Sequence, residues 1–312
     1  MKRLRHAAGT LGLAFVLSFV LLQAIPGSPV ERLDRPEVPV EQAARNRRAL
    51  GLDAPLPEQF ARTVASYARG DLGVSFAKHR PVADVLAEAL PYTALLGAAS
   101  LVLAYGLGVP WALILLTLDP RWRRRLDDAG LAVATVPRFW LSVMLILIFH
   151  SILGWLPASH STDAGAHASA GGLLAHLVLP ALALALPSSF LVARTTLASI
   201  ERVTSSLHVK RARASGAAGI SLLLPHVLRA AAAPTLALAG LDLPVLASGA
   251  LVVETIFAWP GMGRVAAASV LAEDYPMALA SCLLAATAVV AGRLASEALA
   301  RRFDPRLRED AP

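Results

Sequence analysis

Two charged side chains fall inside stretches that otherwise carry no charge. Arg138 stands about ten residues into a run at 129–153 that is apolar apart from it, and Asp242 stands about midway along 230–253, two residues before Pro244. An ionisable group at membrane depth is costly and faces a cavity or a partner. The chemistry open to such a pair is recognition. At one depth, facing one pathway, Arg138 and Asp242 could pair with each other or hold the charged ends of a passing zwitterion. Arg138 has a second reading, in which the run begins later and the long side chain snorkels to the surface.

The other reactive residue types form no catalytic or metal-ligating pattern. HExxH and GxSxG are absent, and none of Lys2, Lys78 and Lys210 follows a glycine, so the chain has no GxxxxGK[ST] phosphate loop. It does not bind ATP by that route. The eight histidines are scattered, and His160, His167 and His176 are too irregularly spaced to suggest a ligand set. The single cysteine, Cys282, excludes an intramolecular disulfide and a cysteine-based metal site, and reads as a small core residue. The expectation is a protein without enzymatic activity, with no cofactor and no metal of its own.

The elements that must position Arg138 and Asp242 are membrane helices. The hydrophobic fraction is 56% and the mean hydropathy +0.58, above what soluble domains show. Charges fall in blocks between largely uncharged stretches, giving six spans of roughly 20 residues or more: 7–25, 89–118, 129–153, 173–193, 230–253 and a weaker 276–300, whose uncharged part ends at Gly292 before Arg293 and Glu297. Between them lie an extracytoplasmic loop or cap at 26–88, a cytoplasmic segment at 194–229 and an extracytoplasmic loop at 254–275. Residues 1–312 then form one all-α polytopic domain. Lys2, Arg3 and Arg5, the cluster Arg121 to Arg125, the basic residues of 194–229 and the arginines after 300 lie on one side, whereas the short loops 154–172 and 254–275 hold only Arg264. The positive-inside rule then puts both termini in the cytoplasm. Loop 26–88 is also basic, but loops of that length translocate largely regardless of charge. The first run, without an A-x-A-like site after it, reads as an inserting helix and not as a cleaved signal. The net charge of +7 and pI near 10.3 follow from topology, and a nucleic-acid partner is unnecessary.

Within 194–229 the stretch "KRARASGAAGISLLLPH", 210–226, is basic and compatible with a helix until Gly216 and Gly219, and Pro225 forbids simple continuation. A short helix ended by a turn would make a handle for a soluble partner. A loop that only sets topology accounts for the same charges.

The residues themselves tilt the balance towards the handle. "ARASG" (212–216) followed by "PHVLRAAAAP" (225–234) resembles the coupling-loop signature of ABC importer permeases of the dipeptide/oligopeptide/nickel family. Ser215 stands where a basic residue is common, and the glutamate that opens the loop in the wider superfamily is missing. The resemblance continues through "IPGSPV" (25–30), "LGLDAPLPEQF" (50–60), "GDLGVSF" (70–76), "PVADVLAEALPYTALL" (81–96), "VPRFW" (136–140), "ETIFAWPGMGR" (254–264), "EDYPM" (273–277) and "FDPRLR" (303–308). It implies type I importer architecture in a bacterial inner membrane. This chain would pair with a homologous permease, two cytoplasmic ATPase subunits would use the ATP, and an extracytoplasmic solute-binding protein would feed the pair.

On that resemblance, Arg211, Ala212, Arg213, Ala214, Ser215 and Gly216 couple the chain to an ATPase. Arg211 and Arg213 would pair with acids on it, and Gly216 would allow the tight exit from the handle. Glu254, Trp259, Pro260, Gly261, Gly263 and Arg264 would lie at the outer mouth, where the binding protein lands, with Trp259 and Tyr275 at the membrane interface. The implied cargo is a dipeptide or oligopeptide. A nickel or nickel-chelate importer, using His160 and His167, is the alternative within the family. A stand-alone secondary carrier would be a different class, but spans 1–3 and 4–6 show no internal repeat.

Overall fold

The computed structural model describes residues 2–24, 54–158 and 170–303, and among these every regular element is helical apart from one isolated β-bridge, Val74 to Pro81. The helices are α1 (Lys2–Ala24), α2 (Leu56–Ala68), α3 (Val82–Thr117), α4 (Pro120–Ala134), α5 (Arg138–Leu145, continued by a π-helical stretch Ile146–Ile152), α6 (Ala170–Thr204), α7 (Leu207–Ala214), α8 (Arg229–Ile256), α9 (Met262–Leu271) and α10 (Tyr275–Phe303). Before α8, a single turn Ile220–Leu222 runs into π-helical turns Leu223–Leu228.

Among the described residues, α1, α3, α6 and α10 contain stretches long and apolar enough to cross a membrane. Such helices satisfy every backbone polar group internally, the condition hydrocarbon imposes. Helix α3 has 36 residues, about 54 Å at 1.5 Å per residue. It starts seven residues before the apolar run that marks it in the sequence. Helix α8 forms over the fifth run. The side chains of its stretch 241–249, Asp242 included, lie outside the described residues.

The third run does not form one continuous helix. Helices α4 and α5 pass as a membrane-crossing pair only together, with a bend of 97° at Thr135–Pro137. Pro137 supplies the cause. A proline pushes the residue before it out of the helical region, and Pro137 itself sits at φ −59, ψ 132, offering no N–H to the preceding turn. The break makes Arg138 the first residue of a new helix.

The chain divides into two compact units, one of Met1–Thr93 with Pro260–Thr287, the other of Ala94–Trp259 with Ala288–Pro312. In the first, Phe15, Phe19 and Leu22 of α1 pack on Ala278 and Leu279 of α10 and on Phe60 and Tyr67 of α2. Edge-on rings close this cluster, with Phe19 and Phe60 centroids 5.3 Å apart. A second cluster joins Val82, Val85, Leu86 and Ala89 of α3 to Met262 of α9 and Met277 and Ala280 of α10. Burial raises the Tyr67 phenol above its ordinary range, with Asp71 adding to the effect. Cys282 of α10 is exposed, contrary to the small core residue expected. On a helix apolar all round, the sequence does not say which side faces neighbouring helices.

In the second unit α6 is the central element, packed by α8, α4 and α5. Its middle, Leu179 to Ala185, is almost wholly buried and rich in alanine, the small-residue surface that lets membrane helices approach. Ala112 and Leu115 of α3 pack on Ala193 and Leu197 of α6.

Candidate functional site

The basic handle forms as α7, separated from the end of α6 by Ser205 and Ser206. Its eight residues present two different faces. Val209 is completely buried against Ile200, Leu222, Val227 and Ala231, with Ala212 half-buried beside them. Lys210, Arg211, Arg213, Ala214 and Ser215 are exposed, and Leu207 is 72% exposed. The exposed face is therefore cationic, with one apolar side chain at its N-terminal end.

Gly216 closes the handle. The Gly216 N–H donates to Arg213 O and the Ala217 N–H to Ala212 O, both at 3.0 Å. These are the paired bonds of a Schellman cap, which satisfy last-turn carbonyls and require a left-handed residue. Gly216 has φ +91, where a side chain costs roughly 1–2 kcal/mol. Ala212 and Ala217 both pack against the same apolar cluster that buries Val209, the hydrophobic contact that accompanies this cap.

The same cap recurs at the end of α8. The Ala258 N–H donates to Thr255 O at 3.3 Å and the Trp259 N–H to Glu254 O at 2.9 Å, with Ala258 at φ +49. Glu254 and Trp259 are both fully buried, which corrects the wet interfacial edge expected of Trp259. The cap folds Trp259 back on the helix end, and that turn could not be read from composition. Pro260, Gly261 and Arg264 belong to the other unit, so the six outer-mouth residues of the sequence reading are shared between two compact units. In their unit these three line a cavity of about 740 Å³ with Lys78, Glu88 and Tyr92. The Met262 N–H at the start of α9 donates to Thr93 Oγ1 at 2.7 Å, and Gly263 lies in the first turn of that helix.

Arg138 is half-buried at the start of α5, where its carbonyl accepts from Ser142 Oγ at 2.8 Å. Helix α5 packs on α8, the helix that carries Asp242. His160 and His167 lie outside the described residues. His176 is buried with Nδ1 2.8 Å from Gly172 O of its own helix. Among the described residues no group of three or more His, Cys, Asp or Glu is placed to hold a metal ion.

Asp274, quoted only within "EDYPM", was missed as an organising residue. Its carboxylate is buried and accepts from Ser75 Oγ, from the Phe76 and Ala77 N–H groups at 3.1 and 3.2 Å, and from Met277 N–H at 3.4 Å. The sequence signal was available in part, since Asp just before Tyr-Pro marks a helix start. Nothing in the sequence pointed to Ser75.

Residues 104–309 match the family model for the binding-protein-dependent transport system inner membrane component. The chain belongs to that family. The glutathione transport system permease protein GsiC of Escherichia coli O6:H1 (strain CFT073) is 34% identical over 309 residues, covering 99% of this chain and 98% of that one. GsiC of Shigella flexneri serotype 5b gives the same identity and coverage. An amino acid ABC transporter crystallised with histidines matches at TM-score 0.49 and 17% identity, over 72% of this chain and 94% of that one. The two full-length GsiC matches agree with the resemblance to peptide and nickel importer permeases. The chain is a transport subunit of the inner membrane and not an enzyme. As a family member it works with a solute-binding protein and an ATPase.

Proposed function

We propose that this permease forms half of the translocation pathway of a type I importer for short peptides. The observation that carries this reading is the handle: an exposed cationic face on a short helix that is anchored by Val209 and ended at Gly216. A rigid, charged projection of this kind suits a partner that must pull. The full-length similarity to glutathione permeases, whose cargo is a tripeptide, supports the cargo class.

On this reading six spans cross the membrane, α8 and the α4–α5 pair included, and both termini are cytoplasmic. The chain is one permease domain whose coupling segment is 194–229 and whose outer parts include 254–275. Arg211 and Arg213 meet acids on one of two ATPase subunits, which hold the ATP, while a homologous permease completes the pathway. Closure of the ATPases draws the two handles together and turns the pathway from inward- to outward-facing, a rigid-body exchange between packed elements. Arg138 and Asp242 face that pathway, a placement supported by the packing of α5 on α8. Pro260, Gly261 and Arg264 at the cavity of their unit, and Glu254 and Trp259 in the other, shape the side where the binding protein lands.

The test is uptake in cells with and without the gene, offering labelled dipeptide, labelled glutathione and radioactive nickel separately. Loss of either peptide signal on deletion, restored by the wild-type gene, supports the reading. Loss of nickel uptake alone would overturn it in favour of a metal importer and direct attention to His160 and His167.

A further inference from the structure

Helices α4 and α6 meet at three points in reversed order. Arg123 Nη1 donates to Glu201 Oε1 at 2.8 Å. Asp127 Oδ2 lies 3.9 Å from Arg194 Nε. Gly130 lies so close to Phe190 that a β-carbon there would stand 2.5 Å from its Cδ1. Positions 123, 127 and 130 are four and three apart and so share one face of α4. Their partners run backwards along α6 from 201 to 194 to 190, so the two helices are antiparallel on this face. The opposite polarity of the two charge pairs fixes the register, because a slide of one turn would bring Asp127 towards Glu201.

The Arg123 guanidinium also reaches a third helix. Its Nε donates to Leu115 O at 3.0 Å and its Nη2 to Leu116 O at 3.3 Å. These are last-turn carbonyls of α3, beyond the reach of its regular hydrogen-bond ladder, and Leu115 O also accepts from the Leu118 N–H at 3.3 Å. One planar fork therefore joins the end of α3 to α6, a geometry that lysine cannot reproduce. Glu201 stands three residues before α6 ends and six before α7 begins. The Arg123–Glu201 pair is partly exposed, and such pairs contribute little to stability by themselves. Its value is positional.

We infer that α4 is a strut and that Arg123, with Glu201, is a positioning residue for transport. It locks the base of the handle to the end of α3, so that a pull on α7 moves α6, α4 and α3 as one body. This rests on the reading of α7 as the ATPase handle given above. Without the clamp the handle would move while α3 lagged, and ATP would be hydrolysed without solute crossing.

The experiment uses the complete transporter in proteoliposomes with its binding protein, comparing wild type with Arg123→Gln, Glu201→Gln and the double variant. Dipeptide or glutathione moved per ATP hydrolysed should fall about fivefold or more in Arg123→Gln, the lower end of measured coupling effects. Glu201→Gln should give a smaller loss and add nothing in the double variant. A second readout needs no solute. Spin labels at Lys210→Cys and Arg124→Cys, both exposed positions, are placed in a Cys282→Ser background. Their separation should hold within about 2 Å, the scale of helix shifts, between nucleotide-free and ATP-trapped states, and should change in Arg123→Gln.

The inference is overturned if the labels separate on nucleotide trapping in the chain that keeps Arg123. It is equally overturned if uptake and hydrolysis in Arg123→Gln fall together with the amount of assembled transporter, because the residue would then be only structural. If the wild-type transporter moves no peptide, the peptide reading fails instead, and the label distance still decides the clamp.

Discussion

Ser75 and Asp274 are 199 positions apart, and the serine hydroxyl donates to the aspartate carboxylate in a site closed to solvent. The Lys78 N–H donates in turn to Ser75 Oγ at 3.0 Å, so the loop from Gly73 to Pro81 is wound around one acid at the start of α10. Hydrogen bonds to a charged group contribute about 1.5–3 kcal/mol each. Asp274→Ala should therefore cost about 3 kcal/mol or more, seen as a large drop in the thermal midpoint of the purified transporter. Ser75→Ala should cost less than half of that. Equal midpoints for wild type and Asp274→Ala would show that the loop is held by something else.

The handle's cap gives a prediction graded by side chain. Gly216→Ala places a β-carbon at φ +91, at a cost of about 1–2 kcal/mol confined to the last turn of α7. Binding-protein-stimulated ATP hydrolysis should fall while the amount of transporter in the membrane stays near normal. Gly216→Asn should lie between alanine and wild type, since asparagine tolerates the left-handed region. Identical activity of all three would mean that the turn is not transmitted to the ATPase.

The two faces of α7 should fail differently. Val209→Asp puts a carboxylate into a completely buried apolar cluster, a penalty of several kcal/mol, so transporter levels should collapse. Arg211→Glu with Arg213→Glu changes only exposed positions. That double variant should fold normally yet lose its ATPase subunits during purification, and in wild type the association should weaken as salt rises. Full retention of the ATPase by the charge-reversed handle would place the docking contact elsewhere.

Close approach rather than charge governs the far end of the strut. Gly130→Val should clash with Phe190 and destabilise by about 1–3 kcal/mol, the usual cost of overpacking. Phe190→Leu in the same chain should recover part of that loss. A Gly130→Val midpoint unchanged from wild type would contradict the packing of α4 on α6.

Arg138 and Asp242 are tested by transport alone. Arg138→Gln and Asp242→Asn should each slow uptake about tenfold, the equivalent of one charge-assisted contact of about 1.4 kcal/mol. ATP hydrolysis should persist. Unchanged uptake in both variants would remove these charges from the pathway.

The sequence by itself determined that helices lie along its apolar runs and that a basic helix would end at Gly216, but not that the third run breaks at Pro137. The first two depend on a window of one or two turns, where backbone sterics and the cost of placing charge in hydrocarbon decide the outcome locally. It also carried the family, through short motifs in a fixed order. Tertiary structure alone decided that Asp274 organises Ser75 and its loop, that Trp259 is buried rather than interfacial, and that Arg123 joins α3 to α6. Those outcomes depend on which donor and acceptor the folded path brings within 3 Å. A carboxylate's partner nearly two hundred residues away leaves no periodicity in the chain. The apolar runs told which segments avoid water; the side of each helix that meets a neighbour was fixed by packing.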